Sequence, residues 1–249
     1  MADLSNRIAL VTGASRGLGR ATAARLAENG ARVIVHYSAS RDAADALVAD
    51  IRSKGGQADA LGADLATPNG AHDLARAVRE LGVERLDILV ANAGIADLAP
   101  IEQETIASFD RHFAVNVRAP FFLVQQLLPV LGEGSSVIFL SSVVARVAFD
   151  STSVYSATKG AIEVLTRNLA KELGPRGIRV NAIAPGAIDT DLAKTFLGTE
   201  EGREFIKSIQ ALKRIGQPDD IADAVLFLAS DQSRWVDGRS IETSGGANL

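Results

Sequence analysis

The sequence predicts an α/β fold of the doubly wound kind, an open parallel sheet of seven strands covered by helices on both faces. Three observations predict it. Short β-branched runs alternate with longer Ala/Leu-rich amphipathic stretches, as in repeated strand-helix-strand units. Ile88-Leu89-Val90 and Val137-Ile138-Phe139-Leu140 are apolar throughout, which points to strands buried on both faces. A glycine-rich turn lies directly between the first strand and the first helix.

The elements follow in order. Strands are expected at 7–12, 32–37, 57–61, 86–91, 136–141, 179–184 and 240–243, and helices at 17–29, 42–54, 69–81, 103–131, 153–173 and 218–229. Right-handed crossovers between parallel strands put the ligand crevice beyond the strand C-terminal ends. No Pro/Gly/Ser-rich linker, low-complexity segment or further repeat interrupts the alternation, so 1–249 is read as a single domain.

Composition narrows the function. With 47% hydrophobic and 22% charged residues the chain can bury a substantial core. A net charge of -4 without like-charge blocks argues against nucleic-acid and membrane-surface partners and favours a small molecule. The absence of cysteine excludes disulfides, cysteine nucleophiles and thiolate metal sites, and redox chemistry then needs an added cofactor. No metal site is expected. The N-terminus runs straight into Ile8-Ala9-Leu10-Val11 with no secretory pattern, and no apolar run reaches the roughly 18 residues of a membrane span, so a cytoplasmic location is expected.

Thr12-Gly13-Ala14-Ser15-Arg16-Gly17-Leu18-Gly19 ends a strand and opens a helix. Glycines let the backbone approach a pyrophosphate, whose charge is met by free amides and the positive end of the helix dipole. A tight turn without ligand is the plain alternative. Tyr155 and Lys159 stand four apart at the start of a helix and so share a face. A phenol working as an acid near pH 7 asks for a drop of about three units from its ordinary value, roughly 4 kcal/mol, which an ammonium beside it can supply. Chance placement of a Tyr and a Lys explains the same spacing. Ser141 and Ser142 close the apolar strand at the crevice edge, and strand alternation sends them to opposite faces. Asn116 sits in a helical stretch that does not favour asparagine, a sign of a kink or of a polar task.

The TGxxxGxG spacing, followed in register by Asn116, Ser142 and YxxxK, resembles the short-chain dehydrogenase/reductase family, a ketoacyl-reductase-like member, over nearly the whole chain from Thr12 to Gly246. The resemblance implies a Rossmann-type fold and hydride exchange between a nicotinamide and a carbonyl/alcohol pair. It implies Tyr155 as general acid/base and Ser142, thirteen residues before it, as the group that orients the substrate oxygen. Lys159 would lower the Tyr155 pKa and bind the nicotinamide ribose, and Asn116 would hold a water linking Lys159 to solvent.

Further cofactor contacts follow from the same resemblance. They are Gly13, Ser15, Arg16, Gly17, Leu18 and Gly19 at the phosphates, and Asp64 and Leu65 at the adenine. Asn92, Ala93 and Gly94 would close the crevice floor, and Pro185, Gly186, Ile188 and Thr190 would touch the nicotinamide. The family often carries a second asparagine where this chain has Ala91, so one sheet contact is expected to be missing. Asp64 can equally cap the next helix.

The acidic residue that usually meets the NAD ribose at the end of the second strand is replaced by Tyr37 and Ser38, with Arg16 and Arg41 nearby. This favours NADP(H), since arginine suits phosphate recognition. Residues 188–212, with Gly198, Glu200-Glu201, Phe196, Phe205 and Ile206, resemble the variable substrate lid, and its apolar residues suggest a partly hydrophobic ketone or 3-oxoacyl substrate. The long helices resemble those that pair subunits, implying a homotetramer. Two rival readings are a catalytically silent dinucleotide sensor and a methyl transferase using the same turn.

Overall fold

A computed structural model describes residues 2–247; Met1, Asn248 and Leu249 of the expected 1–249 span lie outside them. The elements run β1 (Ile8–Val11), α1 (Gly17–Glu28), β2 (Arg32–Tyr37), α2 (Arg41–Ser53), β3 (Gln57–Gly62), α3 (Gly70–Glu80) and β4 (Ile88–Ala91). They continue through α4 (Ile106–Phe113), α5 (Ala119–Leu127), β5 (Ser136–Leu140), α6 (Ser153–Leu173) and β6 (Arg179–Pro185). Two short lid helices, α7 (Lys194–Leu197) and α8 (Glu200–Ile209), precede α9 (Pro218–Ala229) and β7 (Ser240–Thr243).

All the strands are parallel and order as β3-β2-β1-β4-β5-β6-β7. The seven-stranded doubly wound sheet expected from the sequence is therefore present. Alternation along each strand divides the core in two. Ala9 and Val11 of β1, Val33 and Val35 of β2 and Ile88 and Val90 of β4 face α1, α2 and α9 through Leu26, Leu47, Val225 and Leu228. Leu10, Ile34, Leu89, Val137, Phe139 and Val180 face α3, α5 and α6 through Leu74, Leu123, Leu127 and Leu169. Register keeps that second row continuous, since Leu10 pairs with Ile34 and Leu89, Leu89 with Val137, and Val137 with Val180. Successive connections wind to opposite sides of β1 and β4, so the strand ends separate there and leave a crevice.

The structure departs from the sequence reading in two places. The single helix expected over 103–131 is a 3-10 turn at Ile101–Gln103, then α4, a π turn at Ala114–Arg118, and α5. Thr105 starts α4 anew by accepting a hydrogen bond from the Ser108 amide at 3.1 Å, and Asn116 lies inside the π turn. The lid, to which the sequence assigns no element, folds into α7 and α8. Thr199 caps α8 by accepting from the Gly202 amide at 3.1 Å, and Glu200 and Glu201 stand favourably in its first turn.

Phe139 is fully buried at the centre of the sheet. Phe139→Ala is expected to lower the unfolding free energy by about 3–5 kcal/mol, the usual penalty for emptying a rigid core site. Urea unfolding showing a loss below about 1 kcal/mol would refute the rigid packing described for this layer.

Candidate active site

The crevice floor is built where β1 and β4 end side by side. Asn92 donates from Nδ2 to the carbonyls of Thr12 (2.7 Å) and Gly13 (3.2 Å), and the Ala93 amide donates to Thr12 Oγ1 at 2.9 Å. The packing leaves no room for a side chain at Gly19, where a Cβ would sit 2.4 Å from the Gly13 carbonyl oxygen and 2.5 Å from Asn92 Nδ2. Gly13 also has φ +62°, a conformation open to glycine at little strain. Asn92, expected as a floor residue, is thus the clamp on the turn itself.

The same turn leaves an anion site open. The Gly13 and Ala14 amides are taken by His36, through Nδ1 at 3.1 Å and the backbone oxygen at 2.8 Å. The amides of Ser15, Arg16, Gly17, Leu18 and Gly19 have no protein acceptor among the described residues. Arg16 occupies the N-cap position of α1 without a side-chain cap, and no acidic residue stands in the first turn. Side chains cap α4 and α8 through Thr105 and Thr199, whereas α2, α3 and α6, like α1, start without one. What distinguishes α1 is the run of five amides before and within its first turn that no protein group accepts among the described residues. An uncapped helix start with converging amides and the positive dipole end fits a pyrophosphate.

The remaining expected cofactor contacts divide by burial. Tyr37 is half-buried against Gly62, Ser38 and Arg16 are exposed, and Arg41 is paired with Asp45 at 3.4 Å. Asp64 accepts from the Ala66 amide at 3.0 Å within its own turn, while Asn69 occupies the N-cap of α3. It therefore does not cap that helix. The side chains of Leu65 and Ile188 point into the two sheet cores. Pro185 ends β6, Gly186 packs on Ser244, and Thr190 Oγ1 reaches the Ile188 carbonyl at 3.3 Å.

Asn116, Ser142, Tyr155 and Lys159 come together at the end of β5. Ser142 is extended at the strand end, accepts the Val144 amide at 3.4 Å and lies close enough to Tyr155 to favour its phenolate. Ser141 turns the other way, its hydroxyl donating to the Lys159 carbonyl at 3.3 Å, as alternation requires. Lys159 Nζ lies 5.4 Å from the Tyr155 ring centre and donates to the Leu140 carbonyl at 2.7 Å. Asn116 accepts from the Ile95 amide at 2.9 Å and donates to the Ile95 carbonyl at 2.9 Å and to Thr158 Oγ1 at 3.1 Å. It thereby ties the loop after β4 to the second turn of α6. A Cβ at Gly94 would lie 3.3 Å from Asn116 Oδ1 and 3.7 Å from Lys159 Nζ, so glycine keeps the space between them open.

Burial governs the charges here. It pushes the Tyr155 phenol up to about 12, partly opposed by the Ser142 hydrogen bond, and draws Lys159 down to about 8. The lowering of Tyr155 by Lys159 expected from the sequence is outweighed by burial, since desolvation disfavours both charged forms. A group of residues the sequence reading missed flanks the site. Glu163, one turn beyond Lys159, accepts from Arg146 at 3.0 Å and Ser240 at 2.8 Å, anchoring the Ser142 turn and β7 to α6. Its position four residues after Lys159 was the available signal. Among the described residues there is no cluster suited to a metal ion and no helix long and apolar enough to cross a membrane.

Comparison with known proteins places this geometry. Residues 13–248 match a family model described as Enoyl-(Acyl carrier protein) reductase. An uncharacterized oxidoreductase of Methylorubrum extorquens is 44% identical, covering 99% of each chain. Versicolorin reductase 1 of Aspergillus parasiticus is 40% identical over 98% of this chain and 97% of its own. The crystal structure of an angucycline C-6 ketoreductase with bound NADP superposes with a TM-score of 0.94 at 40% identity, over 100% and 98% of the two chains.

The chain has two tyrosines, so subtracting the ultraviolet titration of Tyr155→Phe from that of the parent isolates Tyr155. Phenolate absorbance is expected to appear only as the pH nears 12. Since the folded value lies above the ordinary 10, the fold retains that proton and loses stability as pH rises from 10 to about 12. A midpoint at or below 10 would contradict burial as the governing influence.

Proposed function

The chain belongs to the short-chain dehydrogenase/reductase family, and from that premise we propose that it is an NADPH-dependent reductase of ketones with Tyr155 as the proton donor. The carrying observation is the convergence of Ser142, Tyr155, Lys159 and Asn116 beside a turn with five free amides.

A bound nicotinamide supplies the hydride, a chemistry no side chain of this protein possesses. Ser15, Arg16, Gly17, Leu18 and Gly19 hold its pyrophosphate by their amides. Arg16, Tyr37 and Ser38 face the adenosine ribose without a carboxylate to repel a 2′-phosphate, and this underlies the preference for NADPH. The reading is supported by the NADP found in the ketoreductase relative. Asp64 and Leu65 line the adenine side, Asn92, Ala93 and Gly94 the floor, and Pro185, Gly186, Ile188 and Thr190 the nicotinamide side.

Ser142 and Tyr155 share the substrate oxygen, and the neutral phenol protonates it as negative charge develops. Lys159 carries positive charge beside that phenol at neutral pH, offsetting the cost of phenolate formation at the moment of transfer. The missing side chain at Gly94 spares the space between Asn116 and Lys159 Nζ, where a water would give the proton its return route.

Residues 188–212 act as the substrate lid of one catalytic unit. Exposed Leu192, Phe196, Phe205 and Leu212 favour an apolar ketone, and one similar protein is described as an angucycline C-6 ketoreductase. Exposed Ile106 and Phe109 on α4 and Val164 on α6 provide apolar surface for a homotetramer.

With NADPH and a bicyclic aryl ketone, the purified protein should turn over, and kcat/KM for NADPH should exceed that for NADH. Tyr155→Phe should bind NADPH normally and lose turnover by about 10³-fold or more. Substantial turnover by Tyr155→Phe sinks the assignment of the donor. Efficiency favouring NADH reverses the cofactor preference, and activity on a 3-oxoacyl thioester alone redirects the substrate class.

A further inference from the structure

β2 carries one polar residue inside its apolar run. Val33, Ile34 and Val35 are fully buried, and so, at 1% exposure, is His36. An imidazole in such a place is costly unless both ring nitrogens find partners. Both do. Nδ1 accepts the Gly13 amide at 3.1 Å, and Nε2 lies 3.0 Å from the Ala63 carbonyl. The first contact requires a bare Nδ1 and the second a proton on Nε2, so the ring is neutral and in one tautomer. Burial pushes His36 down to about 4, in keeping with that state.

The two partners belong to different arms of the cofactor crevice. Gly13 opens the phosphate turn, and Ala63 directly precedes Asp64 and Leu65 on the adenine side. The backbone reinforces the link, since the His36 carbonyl accepts the Ala14 amide at 2.8 Å and the Tyr37 carbonyl accepts the Ala63 amide at 3.0 Å. With the Gly13 and Ala14 amides spent on His36, the anion must be met by the five amides that follow them. Their direction depends on how Gly13 is held.

We propose that His36 is a positioning residue for the dinucleotide, a rigid imidazole strut that sets the phosphate turn against the adenine-side turn without touching the cofactor. The inference rests on the function proposed above. Its mark is a change in cofactor affinity with little change in chemistry, because neither ring nitrogen is near the Ser142–Tyr155 site.

The test uses the full-length protein and three variants, His36→Phe, His36→Gln and His36→Asn, with Kd for NADPH from nucleotide fluorescence and kcat at saturating NADPH. Phenylalanine keeps a ring but strands the Gly13 amide, and Kd is expected to rise about tenfold or more with kcat within about twofold. Glutamine, which keeps a neutral acceptor and donor, should recover most of the affinity; asparagine, with the shorter reach, should recover less. A folded His36→Phe protein with the parent Kd, or one whose kcat falls while Kd holds, overturns the proposal. Should the phenylalanine variant not fold, nitrogen-15 spectra of the parent's imidazoles decide. A neutral Nε2–H ring at His36 supports the strut, and an Nδ1–H tautomer or a charged ring near pH 7 refutes it. A parent protein that binds no NADPH overturns the underlying function, an outcome separate from any comparison among the variants.

Discussion

The ends of β1 and β4 are joined by two side chains, and the rest of the site depends on that junction. Asn92 spans to the Thr12 and Gly13 carbonyls while Thr12 Oγ1 holds the Ala93 amide. Without these bonds the two carbonyls and the amide would be unpaired at a strand end that the sheet cannot complete, since parallel partners diverge there. The junction brings Gly19 against Gly13 so closely that no Cβ fits. It also fixes where α1 begins, and the free amides at that point are the cradle. Seven parallel strands deliver every C-terminal end to one edge, and at this pair the chain that follows leaves five amides without a protein acceptor among the described residues.

Much of this was legible because periodicity and turn chemistry act locally. The bounds of β2, β7, α6 and α9 coincide with their sequence readings, each being a run with a clear period between strong breakers. The break at 114–118 was not legible. A π turn arises when a residue is accommodated for a tertiary purpose, here Asn116 reaching both Ile95 and Thr158, and no local propensity announces that. Asn116 was noticed as an ill-suited helix residue, but its partners lie 21 and 42 positions away. His36 left a signal, a polar side chain in an apolar strand, yet its significance depended on which two turns would flank it.

The catalytic groups show how weakly a motif specifies electrostatics. Four-residue spacing put Tyr155 and Lys159 on one face, and the structure agrees, with Nζ at 5.4 Å from the ring. Spacing gave no information about the surroundings. In a site with little solvent, burial disfavours phenolate and ammonium alike, and the ammonium is engaged by the Leu140 carbonyl instead of the phenol oxygen. A neutral phenol is nonetheless the form needed to donate a proton, and a lysine drawn down to about 8 still carries charge at neutral pH. Those protonation states are the ones the proposed reduction requires, with the charge of Lys159 most valuable once negative charge appears on the oxygen.

The segment proposed to choose the substrate has its own small core. Ala193, Leu197, Ile206 and Ile215 form a cluster separate from the two sheet cores, and Arg203 pairs with Asp189 at 3.3 Å across the base of the lid. Leu212 is tied by its backbone to Gly245 beyond β7, so both ends are fixed while the helices between them rest on four buried side chains. Few buried contacts mean a low free energy of local opening. An element held this lightly can change its exposed Phe196, Phe205 and Leu192 without disturbing the sheet or the tetrad. Tyr155 and Lys159 are constrained by the packing of α6 on the sheet and read clearly in the sequence, whereas the exposed apolar residues of 188–212 are held by no comparable packing.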